Sequence, residues 1–261
     1  MPRIDPSLVP LISDLQRGLG QLGVQFGVVG ALVPELLLDA RPLRMTNDAD
    51  VTVVLETLAE FESLKDDLAE YGFERTRSPH RLRHTTGGLL DILPYSESIA
   101  PNERLQLEGS ILNMAGFRHV VPNSIAIAIE GNVTLPLAPL PLYALLKLVA
   151  FGDRKASKDL NGVLHCLEHY LEDDERRYTV EYDGAGVPYE NSTAHLLGID
   201  GRRFLDDATT KAVRAVLDRF DSPDADVVGI AAGQRWRHHL EDDHRTQVFE
   251  LFRWYRLGTG L

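Results

Sequence analysis

Three aspartates carry the clearest chemical signal in this sequence. Asp48 and Asp50 stand one residue apart in "DADVTVVL", an otherwise β-forming run, and Asp91 interrupts the apolar run "LLDILPY". Residues i and i+2 of a strand point to one face, so Asp48 and Asp50 are predicted to project together. Two such charges repel unless a cation compensates them, and carboxylate oxygens suit Mg²⁺. The alternative is a pair that merely caps a strand at the surface, where Asp is common in turns.

Asp91 favours the first interpretation. An ionised carboxylate is costly in an apolar strand unless it is paired or bound to a metal. We therefore predict that Asp91 converges on Asp48 and Asp50 as a third acid. Gly30 adds weaker support, because it ends the run "VQFGVVG" just before a helical pattern. Backbone N–H groups and a positive helix end can approach a phosphate at such a turn.

Two basic segments accompany the acids. The segment "LLKLVAFGDRKASKDL" has Lys147 on an apolar helix and continues with Asp153, Arg154, Lys158 and Asp159. It is either part of a phosphate site or a solvated joint between two helices. The run "RTRSPHRLRH", residues 75–84, leads into the strand of Asp91. It is either an exposed hairpin or a contact for RNA or a triphosphate through Arg81 and Arg83.

Two histidine-containing segments suggest a different chemistry. The segment "HCLEH", residues 165–169, matches the H-x-x-E-H pattern of inverted zinc peptidases and would set both histidines on one helical face. The same helix carries Val163, Leu164 and Leu167, which favours an amphipathic packing element, and no third ligand is evident downstream. The segment "RWRHHLEDDH", residues 235–244, is predicted to be a charged, solvent-exposed face.

The elements that must position these residues fall into two groups. Strand, turn and helix signals alternate along residues 1–135, which predicts a mixed sheet with flanking helices. A proline-rich joint at Pro136, Pro139 and Pro141 follows. Residues 136–261 carry helical periodicity with one irregular interruption. We predict an α+β fold, with an α/β domain over 1–135 and a mostly helical domain over 136–261 that completes the nucleotide site.

The composition narrows the class of protein. Of the 261 residues 44% are hydrophobic and 25% charged, and no apolar stretch approaches the roughly 20 residues that span a bilayer. The N-terminal segment contains acids and predicts an amphipathic helix, not a signal peptide. A single cysteine, Cys166, excludes an internal disulfide and a cysteine-based zinc cluster. These features favour a reducing cytoplasm and no membrane partner. The net charge of −12 argues against unspecific binding to a phosphate backbone, although a local basic patch can still hold RNA.

Four motifs then occur in a telling order between residues 28 and 164. They are "VVGALVPELLLD", "RMTNDADVTVVL", "LLDILPY" and "LLKLVAFGDRKASKDLNGVL". Together they resemble the AbiEii/AbiGii toxin family, whose members are nucleotidyltransferase-like proteins of the polymerase-β-type superfamily. The resemblance implies a nucleotidyltransferase-type sheet domain with Asp48, Asp50 and Asp91 as catalytic metal ligands, and Mg²⁺ or Mn²⁺ as the cofactor. The nucleotide-binding positions that it implies are Gly30, Ala31, Arg44, Thr46, Lys147, Arg154, Lys158 and Asp159.

Two positions depart from the family pattern and leave the function open. Ala31 follows the glycine where the superfamily usually has Ser or Gly, and Gly162 stands where many relatives carry an acid. The first hypothesis is a nucleotidyltransferase that moves a nucleoside monophosphate from a triphosphate to an RNA end, such as that of tRNA, or to a protein side chain. A small-molecule acceptor is a variant of it. Toxicity and an antitoxin protein as partner are implied by the resemblance alone. The second hypothesis is a nucleotide-binding regulatory protein whose catalysis has decayed, and the third is a zinc hydrolase built on residues 165–169.

Overall fold

The chain forms two compact units. The computed structural model describes residues 4–41, 46–129, 133–171, 174–180, 186–233 and 241–261, without the side chains of 241–243. Described residues within 1–37 and 44–139 make up the first unit, and those within 38–43 and 140–261 make up the second. The predicted α+β class, a mixed sheet followed by a mostly helical part, is confirmed.

The first unit is built on the sheet. Its helices and strands are α1 (Leu8–Gln21), β1 (Phe26–Val28), α2 (Leu32–Leu37), β2 (Asp48–Val54), α3 (Leu58–Asp67), β3 (Phe73–Arg75), β4 (Arg81–His84), β5 (Leu89–Tyr95), β6 (Arg104–Leu107), β7 (Ser110–Asn113), β8 (Ile125–Ile129) and β9 (Val133–Leu137). The seven-stranded sheet of the described residues has the order β3-β4-β5-β2-β1-β9-β8, and β6 and β7 form a separate hairpin. The pairs β2–β5 and β1–β9 are parallel, whereas the other neighbours are antiparallel.

Strand β2 shows why this sequence makes a sheet with two different faces. Ala49, Val51 and Val53 are buried, whereas Asp48 and Asp50 between them are partly exposed. Side chains alternate along a strand, so the apolar set faces the core and the acidic pair faces the other way. Helix α1 packs against β2 and β9 with fully buried leucines, which completes the core of this unit.

Helix α3 begins and ends at residues that the sequence signals well. Thr57 caps it, since its hydroxyl accepts from the Glu60 amide while the Glu60 carboxylate accepts from the Thr57 amide. The predicted helix was to continue to Tyr71. Instead α3 ends at Asp67 and a 3₁₀ turn follows over Leu68–Tyr71. Gly72, with φ 85°, ends this turn as predicted.

The second unit is helical. Its elements are α4 (Leu140–Arg154), α5 (Ser157–His169), α6 (Arg176–Val180), α7 (Ser192–Gly201), α8 (Asp207–Leu217), α9 (Asp226–Ala232) and α10 (Glu241–Thr259). Helix α4 packs against α5, α7 and α8, and α5 also contacts α9 and α10. Helices α7 and α10 cross closely where Gly198 meets Gly258. None of the described helices is both long enough and apolar enough to cross a membrane.

Two expectations about this part of the chain are wrong. The proline-rich joint shrinks to residues 138–139, because Pro136 lies within β9 opposite Ala126 and Pro141 lies in the first turn of α4. A proline is tolerated in the first helical turn, where its missing N–H has no helical partner. The predicted solvent-exposed face over 235–244 lies mostly outside the described side chains, and His244, which is described, is buried.

Candidate active site

The three aspartates share one face of the sheet. In the parallel pair β2–β5, Asp50 lies directly opposite Asp91, and Asp48 lies opposite Leu89. Paired residues of adjacent strands project to the same side, and neighbouring strands are about 4.8 Å apart. All three carboxylate-bearing residues are partly exposed, while Ala49 is buried. The register therefore gathers Asp48, Asp50 and Asp91 as the sequence predicts, and their roles as metal ligands stay a prediction.

Gly30 lies against this group. A side chain at this position would place its Cβ 2.5 Å from the Asp50 Cβ and closer still to the Asp50 carboxylate. The Val29 amide just before it donates to the Asp50 carbonyl at 2.9 Å, which holds the two segments together. Ala31 follows in the turn that leads into α2, and its carbonyl accepts from the Glu35 amide. Glycine is thus required at position 30 by close approach to an aspartate.

Thr46 acts on the first aspartate. The Thr46 side chain is almost fully buried, and its hydroxyl donates to the carboxylate of Asp48 and lies 3.3 Å from the Asp48 carbonyl. A hydroxyl that donates to a carboxylate oxygen limits how that carboxylate can turn. Thr46 therefore orients Asp48 within the acidic group. Arg44, the other polar residue predicted in this lead-in, lies outside the described residues.

Arg81 supplies the counter-charge on the same face. Its Nε and Nη2 atoms each donate to one oxygen of Asp91 at 2.6 Å, a bidentate pair across the antiparallel β4–β5 register. The two side chains are 35% and 16% exposed, so solvent only partly screens them. The hydrogen bonds to Asp91, and then the charges of Asp91, Asp48 and Asp50, raise the pKa of the Arg81 guanidinium above its ordinary value against the opposing effect of burial.

In the second unit, three of the predicted nucleotide-binding residues form an ion cluster. The Asp159 carboxylate is fully buried and accepts from Arg154 Nε at 2.6 Å and Nη2 at 2.5 Å, while Lys147 Nζ lies 3.5 Å from it. Asp159 also occupies the first turn of α5, where the helix dipole favours a negative charge. The fourth predicted residue, Lys158, is exposed beside it. The joint between α4 and α5 is therefore fixed by buried charges, and the solvated-joint alternative holds only for its exposed residues.

Gly162 has a local packing reason. A Cβ at this position would lie 2.6 Å from the hydroxyl oxygen of Tyr143 on α4 and 3.5 Å from its Cζ. The Tyr143 side chain is buried and carries Lys147 Nζ 5.6 Å from its ring centroid. In this chain the tyrosine hydroxyl takes the space that a side chain at position 162 would need.

Comparisons with known proteins add little detail. No protein-family model matches the chain, and no curated protein matches it. Two solved structures are similar at low levels. The antibiotic-resistance factor ANT(2'')-Ia is 12% identical with a TM-score of 0.34, over 83% of this chain and 95% of that one. The CdnE cyclic dinucleotide synthase of Elizabethkingia meningoseptica, solved with GTP and Apcpp, is 12% identical with a TM-score of 0.28, over 100% of this chain and 93% of that one.

Sequence reasoning missed two contacts in this region. Arg81 was expected to contact RNA or a triphosphate, whereas in the structure it holds Asp91; the signal was the hairpin turn at Gly87 and Gly88, which brings β4 back along β5. The contact of Tyr143 with position 162 had no signal, since the two residues are nineteen positions apart on different helices.

Replacing Arg81 with glutamine is expected to make the stability of the first unit depend on Mg²⁺. Three carboxylates on one face repel, and removing their counter-charge increases the repulsion that a divalent cation can relieve. We expect a lower melting temperature without Mg²⁺ than in the wild type and a several-fold lower Mg²⁺ concentration for half of the thermal shift. Differential scanning calorimetry across a Mg²⁺ series measures both quantities.

The matched control is Arg83→Gln. Arg83 lies two residues along the same strand, is exposed and pairs in register with Leu89 instead of an acid. Equal Mg²⁺ responses of the Arg81 and Arg83 variants would contradict the assignment of Arg81 as the counter-charge.

Replacing Gly162 with alanine is expected to destabilise the second unit by about 1–3 kcal/mol, the usual cost of overpacking. The same substitution in a Tyr143→Phe background should cost much less, because the nearest remaining atom is then at an ordinary contact distance. Chemical denaturation of the four variants measures the coupling energy. An equal cost in both backgrounds would contradict the packing explanation.

Proposed function

We propose that this chain is a divalent-metal-dependent nucleotidyltransferase that moves a nucleoside monophosphate from a nucleoside triphosphate to an acceptor hydroxyl. One observation carries the proposal: Asp48, Asp50 and Asp91 share a sheet face in fixed register, and a glycine is packed against Asp50. A purely structural surface would not need three acids together with a bare backbone beside them.

The residues present fit a hard divalent cation. Carboxylate oxygens are the donors that Mg²⁺ and Mn²⁺ prefer, and the close approach of Gly30 leaves no side chain over Asp50. Asp48, Asp50 and Asp91 would hold the cation. When bound, it neutralises charge on the triphosphate and on the departing pyrophosphate.

The chain's own residues then have distinct tasks. Thr46 would keep the Asp48 carboxylate turned toward the shared face through its hydrogen bond. Arg81 would hold Asp91 in place and balance part of the negative charge while no substrate is bound. In the reaction the acceptor oxygen bonds to the α-phosphorus, the bond to the pyrophosphate oxygen breaks, and the hydroxyl proton goes to a nearby carboxylate or to water.

The second unit would contribute cations to the nucleotide. Lys147, Arg154 and Lys158 are proposed as phosphate-binding residues, with Asp159 holding the first two in place by its buried carboxylate. Charge-assisted bonds from such cations are the ordinary means of fixing phosphate oxygens. The acceptor is proposed to be an RNA end, including that of tRNA, a protein side chain or a small molecule. A toxin role with an antitoxin protein as partner remains part of this proposal through the AbiEii/AbiGii resemblance.

The deciding experiment incubates the purified chain with each α-labelled nucleoside triphosphate, Mg²⁺, and total cellular RNA and protein. The expected result is label on one acceptor class with one nucleotide, and none with the Asp48→Asn/Asp50→Asn double variant. Glu70→Gln, which removes an exposed carboxylate of the same unit, is the control and should retain transfer. Transfer that survives in the double variant would sink the assignment.

A binding-only protein is the second candidate, favoured by Ala31 and Gly162. It predicts that labelled triphosphate binds in a filter or calorimetric assay while no acceptor is labelled. The packing of Tyr143 at position 162 weakens this reading, because the absence of an acid there has a structural reason of its own.

A further inference from the structure

Helix α5 carries a second group of ligand-type side chains. His165, Glu168 and His169 each offer one ligand atom, and these three atoms all lie within 4.8 Å of one another. The spacing i, i+3, i+4 sets them on one face of the helix. The two imidazole rings are 4.9 Å apart between centroids and inclined at 66°. We call these three residues the α5 cluster.

Burial divides the α5 cluster into a fixed part and an adjustable part. His165 is 3% exposed, so its ring is held by packing, whereas Glu168 and His169 are partly exposed. A tetrahedral ion with bonds of about 2.1 Å has ligand atoms about 3.4 Å apart. The atoms must therefore close by about 1.4 Å, a change that the rotamers of the two partly exposed side chains can supply.

The donor set selects the kind of ion. Two imidazole nitrogens and one carboxylate oxygen suit Zn²⁺ and its first-row neighbours, while Mg²⁺ prefers oxygen ligands alone. The cluster also lies at the C-terminal end of α5, which ends at His169. Unsatisfied carbonyl groups make that end of a helix negative, so a cation is favoured there.

We propose that the α5 cluster binds one zinc-class divalent ion and thereby stabilises the last turns of α5. Glu168 serves as a ligand here, with water completing the coordination on the partly exposed side. This differs from an H-x-x-E-H peptidase, in which the glutamate is the general base and a further ligand comes from elsewhere in the chain. The proposal concerns the second unit and does not depend on the nucleotidyltransferase reaction.

The test is a Zn²⁺ titration of the metal-stripped full chain by calorimetry in competition with a chelator of known affinity. We expect one ion per chain and a higher melting temperature that a chelator reverses. Glu168→Gln and His169→Asn change partly exposed side chains and should each weaken binding about tenfold or more. His165→Asn is less informative because its buried position can affect folding.

The chain has nine histidines, so a control for unspecific binding is necessary. His80→Asn, a partly exposed histidine of the first unit, should leave the affinity unchanged. Substitution with Co²⁺ gives an independent readout, since a tetrahedral nitrogen-containing site produces strong visible absorption that Glu168→Gln should alter. Absence of stoichiometric binding, or binding unaffected by both Glu168→Gln and His169→Asn, would overturn the proposal.

Discussion

Asp50→Asn is expected to lower nucleotidyl transfer by about 1000-fold or more, on the order of 4 kcal/mol in the activation free energy. The asparagine keeps the size of the side chain and removes the charge that would hold the metal. Strand β2 should form normally, because the buried residues Ala49 and Val51 are untouched. Since three like charges share this face, removing one of them should leave the free energy of unfolding unchanged or slightly higher.

Loss of activity together with unchanged or greater stability is the distinctive outcome. Single-turnover rates with labelled triphosphate give the first quantity, and chemical denaturation without Mg²⁺ gives the second. Thr46→Val serves as a graded control: it removes the hydroxyl that orients Asp48 and keeps every carboxylate, so transfer should fall much less than in Asp50→Asn. If Asp50→Asn retained more than about a tenth of the wild-type rate, a change of about 1.4 kcal/mol or less, Asp50 could not be a catalytic metal ligand.

Gly30→Ala is expected to be the most damaging single methyl addition in the first unit. Its Cβ would lie 2.5 Å from the Cβ of Asp50, a contact that a rotation of the aspartate cannot relieve because Cβ is fixed to the backbone. Either β1 and β2 separate locally or the turn before α2 shifts. We expect a loss of about 3 kcal/mol in the free energy of unfolding and at least about 100-fold in transfer.

A coupled variant tests the cause. In an Asp50→Gly background the conflicting Cβ is absent, so Gly30→Ala should cost considerably less stability than it does in the wild type. The four chains form a double-mutant cycle, and denaturant titration gives the interaction energy directly. Independent, additive effects of the two substitutions would show that the tight contact between positions 30 and 50 is not what requires glycine.

The sequence allows a good prediction of the acidic face and a poor one of what surrounds it. Alternation along "DADVTVV" is a local property, so the common direction of Asp48 and Asp50 follows from the residues themselves. The apolar neighbours of Asp91 likewise indicate a strand. That Asp91 stands opposite Asp50, however, depends on the parallel register of β2 and β5, two strands separated by more than thirty residues. Such register is set by the packing of the whole core and has no local signature.

The errors have physical causes of the same kind. Prolines 136 and 141 suggested a joint because proline disfavours regular structure, yet a strand residue and a first-turn helix residue can each do without an N–H at the right place. The bidentate grip of Arg81 on Asp91 and the fit of Tyr143 over Gly162 are contacts between distant residues. Residue types suggested chemistry at these positions, but only the fold reveals which partner each side chain has.

The crossing of α7 and α10 has a consequence for the order of events during synthesis. The first unit has every strand of its sheet once Leu137 has been made, since β9 is the parallel neighbour of β1. The second unit must wait about 120 residues longer, because α7 packs against a helix that ends at Thr259. At about 5–20 residues per second this is a delay of roughly 6–24 seconds, during which α7 lacks its main partner. The acidic face would therefore be assembled well before the helical unit that follows it.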